Sequence, residues 1–323
     1  MRGSRVLRAA GYVALAAGVA APLARRRLRL PPLALSALCW QMPATAAALA
    51  PPGRTRAVAA YLAQMWAYYV HYDMPDDDPE RLLRRLRVDY PIAIDRALGG
   101  GVCPTVRLQR ALAGGGRLRP HDYLLAAAHW AWFAVPHGTV AYTLWRHPQR
   151  FPRTAVAVAF CFDLGLVGYW AVPTAPPWWA ARQGRLPAVR RIMAEVGERV
   201  WGRLWQPLYH SVEGNPFAAM PSLHFGTSVV AARALAEIDR RHGAVGWGYA
   251  LTLGFALVYL AEHYVADLIA GAVVAELAWQ LAGRVVRERA AFQLDPQAAT
   301  NGRVPRALLA SAQAGPRSAG AAR

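Results

Sequence analysis

The stretch YLAEHYVAD, from Tyr259 to Asp267, places ionisable side chains inside an otherwise apolar part of the chain. GFALV precedes it at 254–258, and LIAGAVVAELAW follows it at 268–279. A charged group inside a bilayer costs several kcal/mol and usually marks a transport pathway or a reaction site. The close spacing of Glu262, His263 and Asp267 therefore indicates a functional site in a membrane segment.

The composition also indicates a membrane protein. The chain has 323 residues, of which 55% are hydrophobic and 17% are charged, whereas an ordinary soluble domain has about 25% charged residues. The apolar residues cluster into long segments, as expected for membrane spans. The sequence predicts an all-α, polytopic bundle of transmembrane helices.

The apolar segments predict six core spans, with one or two extra helices before them. The predicted core spans are 55–72, His121–Trp145, Phe151–Val172, Pro221–Ile238, Val245–Leu260 and Tyr264–Gly283. Residues 1–54 then form an N-terminal membrane region, in which Pro43 would kink the second helix. Residues 55–285 form the main transmembrane domain, and 286–323 are predicted to be a disordered cytoplasmic tail.

Two polar regions separate these spans. The first, Asp73–Pro120, is expected to be a long loop with a surface helix near Leu82, Leu83 and Leu86, and its acidic run DMPDDD is expected to face solvent. The second contains RRIMAEVGERVWGRLW (Arg190–Trp205), whose apolar stripe predicts an amphipathic helix in the outer membrane interface.

The formal net charge is +18, and every positive side chain is an arginine. No nucleic-acid-binding motif is present, and arginines between apolar segments are typical of membrane orientation. Arg146–Arg153, Ala232–Gly243 and Arg284–Arg289 are short basic segments at span ends, so we expect them in the cytoplasm. The loop Pro173–Met220 and the turn before His263 then face the outer side, whereas the cluster RRRLRL at 25–30 fits either side.

A second motif, NPFAAMPSLHFGTS (Asn215–Ser228), opens the span that lies one helical hairpin before the first motif. Pro221 suits the first turn of a helix, and the backbone N–H groups of Ser222 and Leu223 would form an anion site there. Two consecutive crossings return the chain to the same membrane face. His224 and His263 are therefore predicted to lie at the same depth.

The spacing of these residues predicts their chemistry. His263 and Asp267 are four residues apart and share one helix face. Asp267 can accept from one ring nitrogen of His263 and leave the other as a nucleophile, and His224 can protonate a leaving oxygen. A lone intramembrane histidine is more often a packed polar residue, but two such motifs on one face favour a reaction site. Cys39, Cys103 and Cys161 form no CxxC motif, and we expect neither metal nor cofactor.

PSLHFGTS followed by YLAEHYVADLIAG resembles the type 2 phosphatidic acid phosphatase superfamily, in particular its inositol phosphorylceramide synthase-like branch. YWAVPTAPPWW (Tyr169–Trp179) is similar to the segment that this branch carries where other members of the superfamily have their own motif 1. The resemblance covers roughly 55–283. It implies a lipid phosphate substrate and a phosphohistidine on His263, with Asp267 as orienting group and His224 as acid. It also implies catalysis without metal in a cell-membrane protein, and the placement of the basic segments predicts a site on the outer face.

The sequence departs from the superfamily in its phosphate-binding cations. Leu257 stands where most members of the superfamily have an arginine. The Lys and the Arg-Pro pair that most members carry in their motif 1 are also absent. Arg182 and Arg185 are the predicted replacements, beside Ser222, because a phosphoryl transition state needs cationic or N–H donors. His129, His137 and Asp163 lie within spans and are expected to be paired inside the bundle.

Three functions fit the sequence. The first is hydrolysis of a lipid phosphate, and the second is transfer of a phosphoinositol-type headgroup between lipids. The third is a catalytically inactive scaffold or transporter. The expected partners are the lipid substrate and membrane lipids, without nucleic acid. The sequence leaves the oligomeric state open.

Overall fold

A computed structural model describes residues 2–294, and within this range the chain is helical or irregular, with isolated β-bridges only. The predicted all-α fold is confirmed. The helices are α1 (Arg2–Leu28), α2 (Pro32–Trp40), α3 (Met42–Leu49), α4 (Arg54–Asp73), α5 (Pro79–Arg85), α6 (Asp89–Leu98), α7 (Pro104–Leu112), α8 (Pro120–Ala131), α9 (Val135–Arg146), α10 (Phe151–Ala171), α11 (Pro177–Arg182), α12 (Ile192–Trp201), α13 (Trp205–Glu213), α14 (Leu223–Ala236), α15 (Arg240–Tyr259) and α16 (Val265–Leu294).

Three of these helices are long and apolar enough to cross a membrane by length and composition: Arg5–Leu28, Phe151–Ala171 and Val265–Arg287. The chain is a multi-pass membrane protein. α16 continues to Leu294, so the predicted tail begins as helix, and the prediction for 295–323 lies outside the described residues.

Two predicted spans are each built from two helices. The span expected at His121–Trp145 is broken between α8 and α9, and the segment at 30–50 is broken at Gln41. A proline lies in the first turn of the second helix in both cases, Pro136 in α9 and Pro43 in α3. Proline is tolerated there because the first N–H groups of a helix have no intrahelical acceptor.

The core of the bundle lies between α10, α14 and α16, which pack directly against one another. A Cβ atom on Gly271 would lie 2.3 Å from the carbonyl oxygen of Ser222, and one on Gly226 would lie 2.8 Å from the carbonyl oxygen of Gly271. The backbones of α14 and α16 therefore touch beside both histidine motifs. The absence of a side chain at Gly271 thus permits this close helix packing.

The polar region between α4 and α8 is more ordered than predicted. The expected helix near Leu82 is present as α5, where the Asp78 side chain accepts from the backbone N–H of Arg81. The remainder, however, also forms α6 and α7 in place of a loop. Both helices bury apolar residues, Ile92 and Val106, against the beginning of α16, and this burial stabilises them.

The acidic run after α4 is partly exposed to solvent, as predicted, because Asp77 and Asp78 are exposed, and it also pairs with the arginines of α1. Asp73 and Asp77 pair with Arg25 at the end of α1, and Asp77 also accepts from Arg26 Nε at 2.6 Å. The basic cluster of α1 therefore lies on the same side as the region between α4 and α8.

Candidate active site

The second motif forms the beginning of α14, but not in the predicted register. Ser222 is the N-cap residue, and its side chain accepts from the backbone N–H of Phe225 at 3.3 Å. Pro221 therefore precedes the helix. The Ser222 N–H donates to the carbonyl oxygen of Asp267 at 2.9 Å, so it is not the open anion donor that the sequence suggested. This bond instead ties the two motifs together.

The first motif begins where α15 ends. Ala261 has φ +66°, the left-handed conformation that commonly closes a helix. The carbonyl oxygen of Leu257 then accepts from the backbone N–H groups of Glu262 at 3.0 Å and His263 at 3.1 Å. The Leu257 side chain is fully buried among apolar neighbours, so position 257 supplies no polar group to the site.

His224, His263 and Asp267 form a continuous chain of hydrogen bonds. His263 Nδ1 lies 3.2 Å from Asp267 Oδ2, and His263 Nε2 lies 3.1 Å from His224 Nδ1. His263 is 4% exposed and Asp267 is fully buried. A proton on His263 Nδ1 that is donated to Asp267 leaves the Nε2 lone pair directed at His224.

Two acidic residues hold the backbone after His263. Asp267 Oδ2 accepts from the N–H of Tyr264 at 2.8 Å. Asp95 of α6 is fully buried and accepts from the N–H groups of Val265 and Ala266 at 3.1 and 2.9 Å. Burial raises the pKa of the Asp95 carboxyl, and these two N–H donors act in the opposite direction. Asp95 thus caps α16 from a distant helix.

Aromatic side chains from the broken α8–α9 span surround His224. The ring of Trp132 lies 4.2 Å from the His224 ring between centroids, and the ring of His129 lies 4.9 Å from it. His129 is 6% exposed, and its Nδ1 atom has no hydrogen-bond partner among the residues that the structure describes. It was expected to be paired inside the bundle. It instead lies against the candidate site.

Glu262, the remaining ionisable residue of the first motif, pairs with Arg191. Arg191 Nε lies 3.1 Å from Glu262 Oε1, and the guanidinium lies 3.9 Å from the ring centroid of Trp178. Arg191 also donates to the hydroxyl of Tyr209. Glu262 directly precedes His263 in the chain, so this ion pair lies close to the candidate nucleophile.

The other predicted residues lie apart from this chain of bonds. Arg185 pairs with Asp89, and both side chains are more than half exposed. Arg182 is exposed and its guanidinium lies 5.1 Å from the ring centroid of Trp178. Within residues 2–294, neither arginine has a hydrogen bond or ring contact with His224 or His263.

His137 and Asp163 are paired within the bundle, as the sequence predicted. The Tyr61 hydroxyl lies 2.9 Å from His137 Nδ1, and the Gln64 amide donates to both carboxylate oxygens of Asp163 at 2.9 Å. In the described part of the chain, no group of three His, Cys, Asp or Glu side chains could hold a metal ion.

Sequence reasoning did not identify Asp95, Arg191 or the contact of His129 with His224. Arg191 lies at the beginning of the amphipathic stretch that was predicted to be a helix in the membrane interface. The helix is confirmed as α12, with Ile192 and Val196 buried, and its place in the interface stays a prediction.

Comparison with known proteins assigns this arrangement to a family. The model of the PAP2 superfamily matches residues 93–281, which include every residue of the histidine chain. No solved structure matches the chain.

Three curated proteins are similar to this chain. The inositol phosphorylceramide synthase catalytic subunit aur1 of Schizosaccharomyces pombe is 26% identical over 170 residues, which are 48% of this chain and 40% of that protein. The inositol phosphorylceramide synthase of Candida albicans is 28% identical, over 45% of this chain and 33% of its own length. The phosphoinositol dihydroceramide synthase of Bacteroides thetaiotaomicron is 27% identical, over 50% and 58% respectively. The matches thus span a third to somewhat over half of each relative.

Proposed function

Because this chain belongs to the PAP2 superfamily, whose model matches more than half of its length, we propose that it is a membrane enzyme that removes or transfers a lipid phosphate group through His263. The observation that carries the proposal is the chain of bonds from Asp267 through His263 to His224. It combines an orienting carboxylate, a nucleophile with an available lone pair and a proton donor, as phosphoryl transfer requires.

The first half-reaction forms a phosphoenzyme. Phosphorus enters between the facing nitrogens of His263 and His224, so the two rings separate when substrate binds. His263 Nε2 forms a bond to phosphorus while the bond from phosphorus to the lipid oxygen breaks, and His224 gives its proton to that oxygen. The His263 ring gains positive charge, which the Asp267 carboxylate stabilises.

The second half-reaction reverses the proton transfer. An acceptor hydroxyl gives its proton to His224 while its oxygen attacks phosphorus, and the bond to His263 Nε2 breaks. With water as the acceptor the reaction is hydrolysis of a lipid phosphate. With a lipid alcohol it is transfer.

Transfer of a phosphoinositol headgroup is the second candidate function. The similar proteins from the two fungi and the bacterium are all named as synthases of phosphoinositol-bearing ceramides. That shared name favours a lipid hydroxyl as the acceptor in this chain as well.

The transferred phosphoryl group needs positive charge that position 257 does not supply. Arg191 and His129 are the residues we assign to this role, because Arg191 is anchored through Glu262 directly before the nucleophile and His129 lies against His224. A guanidinium carries five N–H donors. Arg182 and Arg185 stay candidates for gathering anionic substrate at the surface, and Ser222 stays a candidate donor through its hydroxyl.

A matched pair of variants tests the role of Arg191. Arg191→Gln should lower kcat by about 10²–10³-fold, the effect of losing one transition-state donor, and Arg182→Gln and Arg185→Gln should have smaller effects. Glu262→Gln breaks the same ion pair but keeps the cation, so it should retain most of the activity. Equal loss in Arg191→Gln and Glu262→Gln would mean that the pair only holds the fold.

The function itself is tested with purified protein in detergent micelles. Labelled phosphatidic acid and labelled phosphatidylinositol are each supplied with and without ceramide. We expect an acid-labile phosphoenzyme in the parent and none in His263→Ala, and ceramide-dependent product distinguishes transfer from hydrolysis. A folded parent that is inactive on each lipid would overturn the proposal in favour of a scaffold or transporter.

A further inference from the structure

An apolar groove of about 410 Å³ opens beside the candidate active site, and it belongs to neither the histidine chain nor the Arg191 pair. Its walls come from α7, α14, α15 and α16. The lining side chains include Leu108, Phe225, Leu251, Phe255, Val258 and Leu268. A volume of this size is within the range of about 300–1,000 Å³ that is usual for ligand pockets.

The groove adjoins the histidines through shared walls. Phe225 follows His224 directly, and Leu268 follows Asp267. Trp132, whose ring lies 4.2 Å from the His224 ring, packs against the same apolar cluster as Phe225 and Leu268. A molecule that fills the groove therefore contacts the residues that directly follow His224 and Asp267 in the chain.

The shape of the groove fits an extended hydrocarbon chain. Leu251 and Val258 line it on α15 and are seven residues apart, which is about 10 Å along a helix. Gly254, between them, has no side chain, and a Cβ atom there would lie 2.8 Å from Phe225 Cε2. The missing Cβ lets the Phe225 ring lie close against α15 as one wall of the groove.

An exposed arginine borders the groove. Arg107 of α7 lines the groove and is exposed, and its Nη2 atom donates to the carbonyl oxygen of Gly100 at 3.4 Å. An arginine at the membrane interface attracts the phosphate of a lipid headgroup. The positive charge of Arg107 thus borders a groove whose walls are otherwise apolar.

We propose that this groove holds one hydrocarbon chain of the phosphorylated lipid substrate, with the substrate phosphate between Arg107 and the histidines. The inference rests on the proposed function and adds the place of the chain. Lipid tails are as apolar as the groove wall, so the groove supplies little hydrophobic affinity. Its contribution is to position the phosphate, and positioning is a large part of catalysis.

Two substitutions at the far end of the groove should act in opposite directions. Leu251→Trp adds bulk where a long chain would end, and we expect kcat/KM for a long-chain lipid phosphate to fall about ten-fold. A short-chain analogue should be turned over as by the parent. Phe255→Ala widens the groove and should broaden the range of chains that are accepted. Val245→Trp is the matched control, because Val245 is also an exposed residue of α15 but does not line the groove.

A second pair of variants tests the cation. Arg107→Gln should raise KM for the lipid phosphate about two- to five-fold, as expected for an exposed ion pair. Arg110→Gln removes the same charge from the same helix but outside the groove, and it should leave KM unchanged. Equal effects of the two variants would contradict a specific role for Arg107.

Photolabelling gives a readout that does not depend on activity. The full-length protein is placed in phosphatidylcholine vesicles that contain phosphatidic acid with a photoreactive group on its chain. We expect label on residues 251–268, reduced by Leu251→Trp and by Arg107→Gln. Label elsewhere, or equal labelling by a neutral photoreactive lipid, would overturn the groove assignment even in an active enzyme. Label in the groove of an inactive parent would refute the proposed reaction and leave the lipid site standing.

Discussion

The charge on Asp267 offers the sharpest test of the histidine chain, through the substitution Asp267→Asn. Asp267 Oδ2 alone accepts from both His263 Nδ1 and the Tyr264 N–H. The amide oxygen of asparagine can occupy the same position and keep both bonds, so the variant changes the charge and little of the shape. Two unit charges about 4 Å apart interact by about 4 kcal/mol at an effective dielectric constant of about 20. Loss of that stabilisation at the His263 imidazolium corresponds to a fall in kcat of about 10³-fold.

The assay is release of labelled phosphate from phosphatidic acid, or of labelled headgroup from phosphatidylinositol, measured beside thermal unfolding. We expect kcat to fall by about 10³-fold while KM and the unfolding temperature stay close to those of the parent. His263→Ala is the control and should abolish turnover. A folded Asp267→Asn enzyme within about ten-fold of the parent would refute the assignment, because ten-fold corresponds to only about 1.4 kcal/mol.

Four further predictions follow from the same structure. His224→Ala should lower kcat on a lipid phosphate by about 10²–10⁴-fold, and a p-nitrophenyl phosphate ester should partly restore the rate because its leaving group needs little protonation; no restoration would refute the acid role. Gly271→Ala should destabilise the fold by about 1–3 kcal/mol through its collision with the Ser222 carbonyl, whereas Gly248→Ala, where a Cβ would meet nothing within 4 Å, should be neutral in thermal unfolding. EDTA should leave activity unchanged and vanadate should inhibit, and magnesium-dependent recovery from EDTA would contradict the metal-free mechanism. In whole cells an impermeant thiol reagent should modify Gln183→Cys but not Arg240→Cys, both exposed positions in a chain whose own cysteines are buried, and the reverse pattern would place the site in the cytoplasm.

The sequence by itself determined the features that depend on local periodicity. Apolar segments of spanning length predicted the bundle, because backbone groups in lipid must be satisfied within a helix. A spacing of four residues predicted the contact of Asp267 with His263, but His263 lies in the turn before α16, so the two residues do not share a helix face as the sequence suggested. Two crossings between the motifs were enough to bring His224 to the same depth, and the structure places the two rings in hydrogen-bond contact.

Only the tertiary structure decided which distant side chains complete the site. Asp95 caps a helix about 170 residues later, and Arg191 reaches Glu262 across 71 residues of sequence. His129, near the end of α8, meets His224 at the beginning of α14. No periodicity encodes such contacts. An arginine in an amphipathic stretch has the same sequence pattern whether it contacts lipid headgroups or a carboxylate. The packing of α12 over the end of α15 determines that Arg191 contacts Glu262.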